Sequence, residues 1–213
     1  MRAAAVVAGV LPAGGAAAHP HVFIDVKSEI VFDDAGRLAG VRHAWRFDEG
    51  YSAFASQGLD ADGDGRLTAE ELAPLAEVNV ESMADYAWFT YVTAGDRELD
   101  LAPPTEYWIT SDGGLLTLYF TVPLAEPAEI RSLPAVVEVT DPTFYVAFEF
   151  VETDGVTLAS APAGCTMEVS RPEELDTAAA ELLAGIGPEQ RELPAELQVL
   201  TIGQTNSVSI ACP

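Results

Sequence analysis

The sequence predicts an α+β chain: mainly an antiparallel β-sandwich or open barrel, with a helix–loop–helix inserted in its first half and a helix near its end. Three observations carry this. Short β-branched or aromatic segments recur between residues 21 and 158, separated by Pro, Gly and Asp. Residues 48–92 instead show apolar side chains at helical spacing on both sides of an Asp/Gly-rich loop. Residues 173–184 form a further amphipathic run, opened by Pro172 and closed by Gly185.

In chain order, the first element is a targeting segment. Arg2 is followed by an apolar stretch from Ala3 to Leu11, then Pro12, Gly14, Gly15 and Ala16-Ala17-Ala18. A basic start, a short apolar run and an A-x-A ending make residues 1–18 a signal peptide, with His19 as the first residue after cleavage. The apolar run is too short and too broken to span a bilayer. The expected location is the periplasm or the exterior, with no direct membrane insertion after cleavage.

His21 to Phe32 alternates and is rich in Val, Ile and Phe, which predicts a strand. Asp33 to Gly36 is a turn cluster, and Leu38 to Phe47 reads as the returning strand. A short helix is expected over Asp48–Leu59, with Tyr51, Phe54, Ala55 and Leu59 on one face. A second runs from about Thr68 to Tyr91, lined by Leu72, Leu75, Ala76, Met83, Tyr86 and Ala87. Strand signals resume at Leu99–Leu101, Glu106–Thr110, Leu115–Val122, Ile130–Val139, Tyr145–Glu152 and Val156–Leu158. The β-rich domain thus covers 19–170 with its helical insert at 48–92. Residues 171–213 supply a helix, a Pro/Glu/Gln-rich stretch and a last strand at Ser207–Cys212. Trp45, Trp88 and Trp108 have aromatic neighbours and read as core or rim rather than as a sugar platform.

Charge bounds the partners. Asp and Glu number 34 against 10 Lys and Arg, a formal net charge of −24. Phosphate-bearing partners require basic surface, so nucleic acid is excluded and cations are favoured. The same acidity also suits a soluble protein of a saline setting. In an oxidising compartment Cys165 and Cys212 are expected to pair, tying the C-terminal tail back to the domain.

Residues 60–71 read DADGDGRLTAEE, the EF-hand calcium loop position by position. Asp60, Asp62 and Asp64 occupy positions 1, 3 and 5, and Gly65 stands where the chain must turn sharply. Arg66 offers its backbone carbonyl at position 7, Leu67 faces the core, Thr68 acts directly or through a water, and Glu71 closes the shell bidentately. Calcium is a hard ion that takes six to eight oxygens, which alternate residues of a tight loop can aim inward. Switching EF-hands come in pairs and no second loop is present in the sequence, so the expected role of this calcium is structural.

The histidines form the second cluster. His19, Pro20 and His21 open the processed chain, and His43 is the third histidine. Imidazole suits zinc, nickel, cobalt or copper, and a free amine beside His19 would chelate. Pro20 lacks the amide that the amino-terminal square-planar site must deprotonate. A hairpin turning at residues 34–35 pairs His43 near Asp25 to Lys27, leaving His21 roughly 15 Å away along the strand. A direct three-histidine site therefore requires the first strand to bend away.

No enzyme is expected. Ser52 and Ser56 have neither a nearby His nor a nucleophile elbow, and P-loop, dinucleotide and HExxH patterns are absent from the sequence.

Four stretches together resemble domain of unknown function family 1007, described as the periplasmic component of an uncharacterised ABC-type transport system. They are His19-Pro20-His21-Val22; Trp45-Arg46-Phe47-Asp48-Glu49 with Tyr51-Ser52; the 60–71 loop; and Asp141-Pro142-Thr143-Phe144-Tyr145 leading into Ala147-Phe148. The resemblance runs from His19 to about Val151. It implies a periplasmic accessory to the handling of nickel, cobalt or zinc, working beside a membrane metal transporter, and it favours a metal at the N-terminal histidines. The alternative expectation is a calcium-stabilised β-rich interaction or scaffold module without transition metal.

Overall fold

The computed structural model describes residues 20–131, 133–172, 176–186, 193–194, 196–201 and 203–213. The expected signal peptide, His19 and the expected helix start at 173–175 lie outside the described residues.

Two sheets enclose one core. The first contains β1 (Val22–Phe32), β2 (Leu38–Phe47), β5 (Tyr107–Asp112), β6 (Leu115–Ala128), β8 (Val146–Phe150) and β9 (Val156–Ala159). Its order is β5-β6-β2-β1-β8, with β9 also on β1. The second contains β3 (Thr90–Ala94), β4 (Arg97–Glu98), β7 (Ala135–Val139), β10 (Thr166–Ser170) and β11 (Asn206–Ala211), ordered β10-β11-β7-β3-β4. The sheets stay open, so the fold is the sandwich form of the expectation and not a closed barrel.

The first sheet is mixed. β8 pairs in parallel with Val22–Val26, and β9 pairs in parallel with Ser28–Val31, so both share one edge of β1. The break between them falls near Gly155, whose carbonyl accepts from Ser28 N at 2.8 Å. A Cβ there would stand 2.1 Å from Val151 O, so only glycine permits the approach. Inward-facing residues of both sheets, among them Trp45, Phe120, Phe150, Val137 and Val208, are buried in one cluster.

Asn206 stitches the layers together. From β11 it accepts from Phe150 N at 2.9 Å and donates to Phe148 O at 2.5 Å, satisfying two backbone groups of β8, the strand that ends the sheet order. Cys165 and Cys212 are bonded, with S–S 2.04 Å across a sequence separation of 47. Closing that loop stabilises the fold by about 4 kcal/mol in the chain-entropy model. No helix among the described residues is long and apolar enough to cross a membrane.

The helices are α1 (Glu49–Ala55), α2 (Ala69–Ser82) and α3 (Thr177–Ala184). Asp48 caps α1 through Tyr51 N and also accepts from Phe23 N at 2.8 Å, fastening the helix to β1. Ser52 is buried; its hydroxyl accepts from Leu116 N and donates to Phe47 O, so it locks α1 onto β6. On α2, Leu72, Ala76 and Val80 face the core.

The second helix ends earlier than its apolar spacing predicts. After Met83 the chain tightens into a 3-10 turn over Ala84–Phe89, and Thr90 begins β3. Ala87, Trp88 and Phe89 have φ of 50°, 51° and 51°. Three successive left-handed side-chain-bearing residues cost roughly 1–2 kcal/mol each. Burial of Trp88 and Phe89 holds them there, with Trp88 Nε1 donating to Val80 O at 3.0 Å. Near the other end of the chain, Leu183, Ile186 and Leu193 form a small separate cluster around Phe144.

Candidate metal centre

The loop between α1 and α2 is built by its own carboxylates. Asp60 accepts from the amides of Gly63 and Asp64 with Oδ1 and from Gly65 N with Oδ2, at 2.8, 3.1 and 2.9 Å. Gly63 and Gly65 adopt φ of 74° and 80° to turn those amides inward. Asp62 accepts from Asp64 N, and Asp64 from Arg66 N. Glu71 joins the two ends: Oε1 accepts from Ala61 N, and Oε2 from Thr68 N and its hydroxyl. Thr68 in turn caps α2, forming a reciprocal box with Glu71. Leu67 packs against the core, so the loop is anchored on one side and open on the other.

These contacts gather negative charge. Asp60, Asp62 and Glu71 each place an oxygen within 4.8 Å of the others, about twice a calcium–oxygen distance of roughly 2.4 Å. Among the described residues no Lys or Arg pairs with them. The amide of Thr68 foremost, then that of Ala61 and the Thr68 hydroxyl, holds the Glu71 carboxyl below the usual range. The grouped donors are all carboxylate oxygens, from Asp60, Asp62 and Glu71; the expected ligand Asp64 does not join that group. Such a set fits a hard divalent cation and not a soft one.

The histidines are not brought together. His43 stands opposite Ser28 on β1, one residue beyond the expected register. His21 is seven residues further along that strand, roughly 23 Å. His43 is buried among Trp45 and Phe120, with Nδ1 2.9 Å from Ser28 Oγ and Nε2 3.0 Å from Thr90 Oγ1. Thr90 donates its own proton to Trp88 O. The chain of bonds therefore puts the imidazole proton on Nε2 and uses the Nδ1 lone pair for Ser28. His43 thereby leaves the expected ligand set: both its nitrogens are engaged, and burial pushes its pKa down to about 3.

His21 lies immediately before β1. Its amide donates to Tyr145 O at 2.8 Å, and its ring centroid is 4.9 Å from that of Tyr145. It belongs to no group of three metal-ligating side chains among the described residues.

Sequence reasoning left Asp141 unassigned. This buried carboxylate takes donors from Thr143 N and Oγ1 on one oxygen, and from Tyr145 N and Val146 N on the other, at 2.7 to 3.0 Å. It folds the 141–146 turn, in which Phe144 has φ 57°, and delivers Tyr145 to His21. The Asp-Pro-Thr run was its visible signal, as an Asx-type turn. Asp141→Ala strands several donors and is expected to cost about 2 kcal/mol, read as a lower midpoint in urea unfolding; an unchanged midpoint would remove Asp141 from this role.

Comparison with known proteins gives one family and two relatives. A family model described as "Protein of unknown function (DUF1007)" matches residues 4–212. An uncharacterized protein of Haemophilus influenzae is 26% identical over 174 residues, covering 81% of this chain and 82% of the relative. An uncharacterized 15.5 kDa protein in the trpE 3' region of Spirochaeta aurantia is 27% identical over 105 residues, 49% of this chain and 74% of that one.

Proposed function

The chain belongs to the DUF1007 family, and we propose that it is an extracytoplasmic calcium-binding protein that serves as an accessory or binding component in divalent transition-metal transport. The observation that carries the calcium half is the oxygen triad of Asp60, Asp62 and Glu71 within 4.8 Å, on a loop with αL glycines between two helices. Bound there, calcium supplies charge neutralisation and nothing catalytic. Asp60, Asp62, Asp64, Thr68 and Glu71 hold it with the Arg66 carbonyl, and α1 and α2 are thereby fixed against β6 and the core. The disulfide suits an oxidising compartment.

The transport half rests on His19 and His21 at the start of the processed chain and on the resemblance described above. His21 packs on Tyr145 just before β1, and His19 with a free amine would add nitrogen ligands suited to nickel, cobalt, zinc or copper. The second reading is a calcium-stabilised interaction or scaffold module. It rests on the same calcium loop, which would fix α1 and α2 to the sheets without any transition metal.

Elemental analysis of protein isolated with its native N-terminus separates the two. The transport reading expects a stoichiometric transition metal that a His19→Ala, His21→Ala double variant loses while retaining calcium. Equal zinc, nickel and copper binding by parent and variant would leave only the module.

A further inference from the structure

The outer face of the first sheet is uncovered. Along β1, β2 and β8 outward side chains alternate with buried ones, and the charged ones are Asp25, Lys27, Glu29, Arg42, Arg46 and Glu149. Three are basic and three acidic, so these strands present a neutral face in a chain of net charge −24. Two copies of so acidic a chain repel one another, and a neutral face is where that repulsion is weakest.

The register makes the face complementary to itself. Asp25 stands opposite Arg46, Lys27 opposite Ala44 and Glu29 opposite Arg42. The acids are on β1 and the arginines on β2. A rotation of 180° about an axis along the strands, between β1 and β2, lays β1 of one copy over β2 of the other at the same height. Asp25 then meets the second copy's Arg46, Glu29 meets its Arg42, and the stem of Lys27 stands over its Ala44. The operation is two-fold, so each contact forms twice. Within one chain Arg42 already holds Glu29 at 2.6 Å. Among the described residues Asp25, Lys27 and Arg46 take part in no ion pair, and Ala44 stays partly exposed between its long neighbours.

We propose that the chain forms a two-fold dimer through this face, with the two first sheets aligned about 10 Å apart. β1, β2, β6 and the β8–β9 edge overlap in that arrangement, four strand widths of about 4.8 Å over a length of about 30 Å. With side chains standing off the sheet, such a footprint suits a standard interface of about 800 Å² a side. A polyanion would meet the three acids and a polycation the three bases. The alternation of sign therefore selects a partner that carries the same alternation, which a second copy does. No residue of the 60–71 loop stands on this face, so the proposal is independent of the calcium reading.

The processed chain is expected to sediment as a dimer with a Kd in the micromolar range at physiological salt. Lys27 is the one lysine of the sequence, and the arrangement puts the two Lys27 Cα atoms about 11 Å apart. An amine-reactive bifunctional reagent of that reach is therefore expected to join the Lys27 peptide to itself. Arg42→Glu with Arg46→Glu makes both strands acidic, and Asp25→Lys with Glu29→Lys makes both basic. Each double variant is expected to weaken its own dimer by more than about a hundredfold. An equimolar mixture of the two is expected to recover a one-to-one pair, which also shows that both are folded. A parent that stays monomeric, absence of the Lys27–Lys27 product, a double variant that dimerises as the parent does, or a mixture that stays monomeric overturns the proposal.

Discussion

Millimolar calcium is expected to raise the thermal midpoint of this protein, and Glu71→Ala is expected to abolish the rise. The three carboxylates within 4.8 Å repel one another unless a cation lies between them. Occupancy stabilises the native state by RT ln(1 + [L]/Kd), about 2.7 kcal/mol at a hundredfold excess over Kd. For a domain of this size that moves the midpoint by about 5–10 °C. Glu71 joins the two ends of the loop through Ala61 N and Thr68, so its loss removes a ligand and the loop's closure together. Asp60→Asn is the milder companion: the amide oxygen can still accept from Gly63 N and Asp64 N, while the bond from Gly65 N and one charge go. Magnesium is expected to stabilise less, because it demands tight octahedral geometry and gives up water reluctantly. A parent protein with neither binding heat nor a midpoint shift in millimolar calcium would end the calcium reading.

Acid unfolding carries a distinct His43 component. Burial holds the neutral ring with a pKa of about 3 in the folded protein, against about 6.5 in the unfolded chain. Between these values the unfolded state binds a proton that the native state refuses, so stability falls as pH drops. The slope is about 1.4 kcal/mol per pH unit once pH is below about 6. Asp33 and Glu71 also have lowered carboxyl pKa values, Asp33 mainly through Arg37 and Glu71 through Thr68 and Ala61. Their contribution, present above the unfolded value near 4, is likewise lost on acidification. His43→Phe separates the terms. It starts less stable at neutral pH, because the Ser28 and Thr90 hydroxyls lose their partner, but its stability changes far less between pH 6 and 4. Urea midpoints at several pH values check this, and parallel slopes for parent and variant would show that His43 does not titrate on unfolding.

The two-sheet class was legible because burial alternates along β1 and β2, and a period of two is a local property. The cysteine pairing could be expected from compartment and count alone. β3 was hidden because Tyr86 and Ala87 continue the apolar spacing of α2, while the three left-handed residues that stop it carry no glycine to announce the turn. The parallel pairing of β8 and β9 with β1 was hidden because it joins segments more than a hundred residues apart.

The same distinction divides the functional residues. A contiguous stretch of chain positions the oxygens of Asp60, Asp62 and Glu71, so spacing alone determined which groups could meet: short-range backbone geometry leaves twelve residues few ways to turn. His43 was decided by tertiary structure, whereas Asp141 takes its donors from the five residues that follow it. Whether an imidazole is a ligand or a neutral core group depends on what surrounds it. Here Ser28, Thr90 and Phe120 come from separate strands and remove water from the ring. No local pattern encodes that desolvation, because it arises only when two sheets close over one another.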